Sequence, residues 1–138
     1  MPNQPPHQRN TFARHAMAIF ATGILAIAIA YLTLTPQSLN LGPNTDKLYH
    51  FIAFTALVFP CALLFARTLN WVLPAALLFG GAIELLQPYV GRGGELADFV
   101  ADALGVLTGA ALGLTLRAIV TRRASRSAPS VWWIRIFQ

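Results

Sequence analysis

The sequence predicts an all-α membrane protein, a compact bundle of four short transmembrane helices. Three observations predict it. Hydrophobic residues make up 56% of the 138 positions and charged residues only 11%, with a mean hydropathy of +0.57. A soluble domain carries about a quarter charged residues, so this chain lacks the polar groups to cover a surface facing water. Four apolar runs follow one another, separated by short polar or Pro/Gly-rich segments. The basic residues stand beside or between those runs, where topology signals lie. The length suits a single domain.

Taken in order, residues 1–14 read as a disordered polar leader, rich in proline at their start. Residues 16–34 carry no charge, and about 20 residues at 1.5 Å each cross ~30 Å of hydrocarbon. A Pro/Asn/Gly-rich loop over residues 36–45 follows. The second run, residues 48–65, contains His50 near its start and Pro60, a candidate bend. Arg67, Thr68 and Asn70 mark a tight turn. The third run, residues 71–86, is short and holds Pro74, Gly80, Gly81 and Glu84, and residues 87–95 form a Pro/Gly loop with Arg92. The fourth run, residues 96–116, has Asp98 and Asp102 in its first two turns. The membrane domain is therefore residues 15–118. Residues 119–138 form a basic tail ending in an aromatic stretch suited to the headgroup region.

The net charge of +5 and a pI near 10.4 raise the question of nucleic acid. No basic helix or RNA-binding aromatic motif accompanies the charge, and membrane orientation explains the same arginines. With the N- and C-termini cytoplasmic, Arg9, Arg14, Arg67, Arg117, Arg122, Arg123, Arg126 and Arg135 all lie inside, leaving only Lys47 and Arg92 outside. No nucleic-acid partner is expected. Ala28-Ile29-Ala30 resembles a signal-peptide cleavage site, but the apolar run continues through residues 31–34. Cys61, the single cysteine, lies in an apolar run and reads as a packed small hydrophobe.

The five acidic residues, Asp46, Glu84, Glu95, Asp98 and Asp102, all fall at the outer face under this topology. Asp46 and His50 are one helical turn apart, and Gly80, Glu84 and Gln87 share a stripe of the third helix. Asp98, Asp102, Gly105, Gly109 and Gly113 align on the fourth; small residues so spaced let membrane helices approach closely. That places the fourth helix inside the bundle, with both aspartates pointing inward. Capping of helix N-termini by Asp98 and Asp46 is the structural alternative. It does not serve Glu84, at a helix C-terminus, or Asp102, too deep to cap. An ionised carboxylate at that depth must pair, be hydrated or take up a proton. Glu95 reads as a solvated loop charge.

The line Asp46-Lys47-Leu48-Tyr49-His50-Phe51, then Glu84-Leu85-Leu86-Gln87, then Arg92, Asp98 and Gly105-xxx-Gly109 resembles the VanZ-like family. These are small bacterial membrane proteins named for an accessory factor in teicoplanin resistance. The resemblance covers residues 46–113. It departs from the family pattern at Asp102, where an asparagine is usual, which adds a potential negative charge. The resemblance implies a bacterial inner-membrane location and, for some members, a link to glycopeptide resistance.

The site residues expected from all this are Asp46, Lys47, His50, Glu84, Gln87, Arg92, Asp98 and Asp102, with Gly105, Gly109 and Gly113 packing the helices. The expected role is an outward-facing polar site for a membrane lipid or lipid-linked cell-wall precursor, Arg92 and Lys47 holding a phosphate. No nucleophile elbow, phosphate loop or paired-cysteine site points to catalysis. His50, Glu84, Asp98 and Asp102 have suitable donors for a metal, but their spacing matches no recognised motif, so no metal and no cofactor are expected. A homo-oligomer is left open. The rival reading is a structural protein whose acidic cluster only holds the helices together.

Overall fold

The structure is a computed structural model that describes residues 6–35 and 45–126. Helix α1 spans Pro6–Leu34, α2 Thr45–Leu64, α3 Leu69–Leu86 and α4 Leu96–Arg126. Short 3-10 turns at Ala66–Thr68 and Gln87–Val90 follow α2 and α3. The described residues hold no strand, and the fold is an all-α bundle of four helices. Four helical segments are long and apolar enough to cross a bilayer: His15–Leu34, Thr45–Leu64, Ala66–Val90 (α3 with its two flanking 3-10 turns) and Leu96–Arg123.

Two helices run past their apolar segments. Residues 6–14, read as part of a polar leader, continue α1 outward, starting at Pro6. Proline is tolerated in the first helical turn, and extending a helix adds one bond per residue with no new nucleus. For the same reason α4 extends ten residues beyond residue 116, to Arg126, through the start of the basic tail. The loop at 36–44 and the aromatic stretch at 131–137 lie outside the described residues.

The large side chains Phe20, Ile27, Trp71, Leu78, Leu85 and Leu107 point outward, exposed on the bundle surface. In water such a surface would forfeit most of the hydrophobic stabilisation of folding; against lipid it forfeits none, and cohesion comes from close packing and polar contacts between helices. Inside, α2 turns His50, Phe54, Leu57, Val58, Cys61 and Ala62 inward. Phe54, Val58 and Ala62 are completely enclosed, with Ile83 and Val106 packed around them. Cys61 is buried as expected, and its Sγ lies 3.3 Å from Thr22 Oγ1 of α1.

The most extensive interface is between α2 and α4, and the glycine stripe makes it. A β-carbon on Gly105 would stand 2.5 Å from the Phe51 carbonyl oxygen, and one on Gly113 2.5 Å from Ala62 Cβ. One on Gly109 would collide with the Thr55 carbonyl. Thr55 spans the contact, its hydroxyl donating to Phe51 O at 2.8 Å and to Gly105 O at 3.2 Å. Helix α2 continues through Pro60, although the proline withholds one intrahelical N–H.

Arginines close two helix ends, where carbonyls lack intrahelical partners. Arg92 Nη1 donates to Leu32 O and Thr33 O of α1 at 3.2 and 3.0 Å. Arg117 Nη1 donates to Leu63 O and Leu64 O of α2 at 3.2 and 3.1 Å. Because α1 ends where α2 begins, the two contacts lie at opposite ends of the bundle. Positive charge at a helix C-terminus is favourable to the dipole as well.

Candidate functional site

All five acidic residues meet at one end of the bundle, where α2 and α4 begin and α3 ends. The rim carries the ion pairs. Lys47 Nζ lies 2.8 Å from Glu95 Oε2 and 3.5 Å from Asp98 Oδ1. Arg92 Nη2 donates to both oxygens of Asp46, at 3.1 and 3.2 Å, while its Nη1 is committed to α1. The sequence assigned both cations to a ligand phosphate. Here internal partners occupy them, and Arg92 in particular ties the start of α2 to the end of α1.

Beneath the rim lies a buried polar centre. His50 and Asp98 are each 1% exposed, and Gln87 and Asp102 are fully enclosed. His50 Nδ1 is 2.9 Å from Asp102 Oδ1 and 3.8 Å from Glu84 Oε1. Glu84 and Asp102 therefore face the same imidazole nitrogen from α3 and α4, inside the bundle and away from the acyl chains. Gly80 makes room for this: a β-carbon there would come within 2.7 Å of Asp102 Oδ2. The stripe Gly80, Glu84, Gln87 is the inward face of the end of α3.

Glu84 stands two residues from the C-terminus of α3, where the dipole disfavours an anion. Its Oε2 is compensated from the neighbouring helix, because the Glu95 backbone N–H, just ahead of α4, donates to it at 2.9 Å. Gly94 allows the loop this approach, since a β-carbon on it would clash with the Glu84 carbonyl. The loop turns at Gly91, whose φ of 77° lies in the left-handed region that favours glycine. With its amide nitrogen facing the nearby acceptors, Gln87 donates to Glu84 Oε2 at 3.3 Å and to Gly93 O at 3.2 Å. Glu95, read as a solvated charge, thus holds two site residues, Lys47 by its side chain and Glu84 by its backbone. Its place directly before the fourth apolar run was the signal available in the sequence.

Four buried atoms in this centre have no hydrogen-bond partner among the described residues: His50 Nε2, Glu84 Oε1, Asp98 Oδ1 and Asp102 Oδ2. Asp98 sits in the first turn of α4, and its contact with Lys47 is the ion-pair distance given above. An unsatisfied buried polar group costs about 1–3 kcal/mol, more if charged. The arrangement offers converging acceptors to a molecule that brings donors or positive charge.

The structure thus brings together Asp46, Lys47, His50, Glu84, Gln87, Arg92, Asp98 and Asp102 at one end, and places Gly105, Gly109 and Gly113 on the α2–α4 seam below. Comparison with models of known protein families, with curated proteins and with solved structures finds no match to the chain.

Proposed function

We propose that this chain is a VanZ-like integral membrane protein of the bacterial inner membrane, whose polar centre binds the headgroup of an envelope lipid or lipid-linked cell-wall precursor and contributes to glycopeptide resistance of the teicoplanin type. The observation that carries the reading is the set of four buried atoms without a hydrogen bond on His50, Glu84, Asp98 and Asp102. Three of the four are carboxylate oxygens, which accept from the hydroxyl, amide and amino groups that sugar and peptide headgroups present. The excess of arginine at the opposite ends of the helices supports cytoplasmic termini and an outward-facing pocket, the side on which glycopeptides meet their targets.

A purely structural role accounts for Lys47 and Arg92, whose charges are met internally. It does not account for the buried atoms left without a hydrogen bond, a cost that helix cohesion alone would not require. The test is to replace Glu84 by Gln and Asp102 by Asn in a host whose teicoplanin susceptibility depends on this protein. Membrane abundance and susceptibility are then measured together. Binding predicts unchanged abundance with susceptibility at the level of the deletion strain. A fall in abundance matching the change in susceptibility supports the structural role instead.

A further inference from the structure

His50, Glu84 and Asp102 come one each from α2, α3 and α4, and each offers a ligand atom within 4.8 Å of the other two. The ligands of a tetrahedral ion bound at ~2.1 Å stand about 3.4 Å apart. His50 Nδ1 is 2.9 Å from Asp102 Oδ1 and 3.8 Å from Glu84 Oε1, values that bracket this spacing. His50 Nδ1 and Asp102 Oδ1 are hydrogen-bonded to each other, while the third ligand atom, Glu84 Oε1, and the second carboxylate oxygen of Asp102 are buried without a hydrogen bond, so the set keeps unused acceptor capacity.

Charge points the same way. Five carboxylates gather at this end against Lys47 and Arg92, and those two cations engage Glu95, Asp98 and Asp46. Among the described residues, Glu84 and Asp102 have no ion-pair partner but His50. Asp46, His50 and Asp98 also offer ligand atoms within 4.8 Å of one another, but Arg92 and Lys47 already serve that pair of carboxylates.

We infer that His50, Glu84 and Asp102 form a three-ligand site for a divalent transition cation of the Zn²⁺ or Mn²⁺ class, with an oxygen of the bound headgroup completing its coordination. The inference rests on the ligand-pocket reading above and deepens it. A three-ligand N/O set with an open position is the arrangement in which a protein-bound ion still takes an exogenous oxygen. The ion would supply the positive charge toward a headgroup phosphate that Lys47 and Arg92, paired internally, do not. The ligands come from three separate helices, so their spacing in sequence resembles no metal motif.

The full chain, purified in detergent without chelator, is analysed for metal content by mass spectrometry. After stripping with EDTA it is titrated with Co²⁺, whose visible absorption reports coordination geometry. Wild-type protein should retain or take up one ion per chain and develop the absorption of a low-coordinate site. Asp102→Asn and His50→Gln should lose at least ten-fold in affinity while eluting as the same single species. Wild-type protein that neither retains metal nor takes up Co²⁺ overturns the inference, whatever the variants do. So does uptake that both variants preserve. Lipids extracted from the same samples keep the two readings apart. Bound envelope lipid in a metal-free protein sinks the metal site alone, and a metal-loaded protein devoid of envelope lipid sinks the ligand reading alone.

Discussion

His50 Nδ1 lies 2.9 Å from Asp102 Oδ1, a buried contact between side chains 52 residues apart in sequence. It joins α2 to α4 at the point where their glycine seam gives way to the polar centre. Three features coincide there: Gly80 vacates space beside Asp102, Gly105 draws α4 onto α2, and Glu84 approaches the same nitrogen from α3. The contact is thus both an interhelical bond and the anchor of the candidate site, and substitutions can separate these roles.

Asp102→Ala should be more damaging than Asp102→Asn. Alanine strands His50 Nδ1 without a partner and leaves a void, whereas asparagine keeps the shape and one acceptor. Interhelical hydrogen bonds in membranes are worth about 0.6–2 kcal/mol, and an orphaned buried group adds about 1–3 kcal/mol. Thermal unfolding in detergent should place Asp102→Ala lowest, Asp102→Asn between it and wild type. Equal melting of all three would remove the His50 contact from the account of stability.

Gly109→Val tests the seam. A β-carbon at this position meets the Thr55 backbone carbonyl, which cannot swing aside as a side chain would. We expect a loss at or beyond the ~1–3 kcal/mol of ordinary overpacking, read as reduced folded yield in membranes. Gly23→Ala is the control: nothing lies within 4 Å of a β-carbon there, so the effect should stay within about 0.5 kcal/mol.

These contrasts also mark what the sequence could reveal. The apolar runs located four helices because lipid excludes charge over a fixed thickness, and the three- and four-residue steps of Asp98, Asp102, Gly105, Gly109 and Gly113 identified the inward face of α4. The extension of α1 back to Pro6 and of α4 on to Arg126 was not legible, because a helix emerging from the bilayer has no apolar signature. Nor was the pairing of charges. Lys47 selects Glu95 and Asp98, and Arg92 selects Asp46 and the end of α1, through loop geometry at Gly91 and Gly94 that hydropathy does not encode. Only the positions of their neighbours reveal that they are occupied.

The Arg92–Asp46 pair should contribute modestly. Its carboxylate is half exposed, and exposed pairs give about 0.2–1 kcal/mol. A double-mutant cycle with Arg92→Ala and Asp46→Ala should therefore show coupling in that range. Arg92→Ala alone should cost more than Asp46→Ala, since it also releases the carbonyls of Leu32 and Thr33. Arg92→Lys should recover little of this, because one ammonium cannot serve the carboxylate and both carbonyls together. Full stability of Arg92→Lys would argue against the bridging role.

The central claim is that the buried atoms of His50, Glu84, Asp98 and Asp102 left without a hydrogen bond are completed by a headgroup. Native mass spectrometry of the protein released from detergent tests it most directly, comparing wild type with the Glu84→Gln/Asp102→Asn double variant at matched folded yield. The account predicts an envelope lipid or precursor bound to wild-type protein and depleted at least ten-fold in the variant, with bulk phospholipid unchanged. Identical lipid profiles for the two proteins would contradict it.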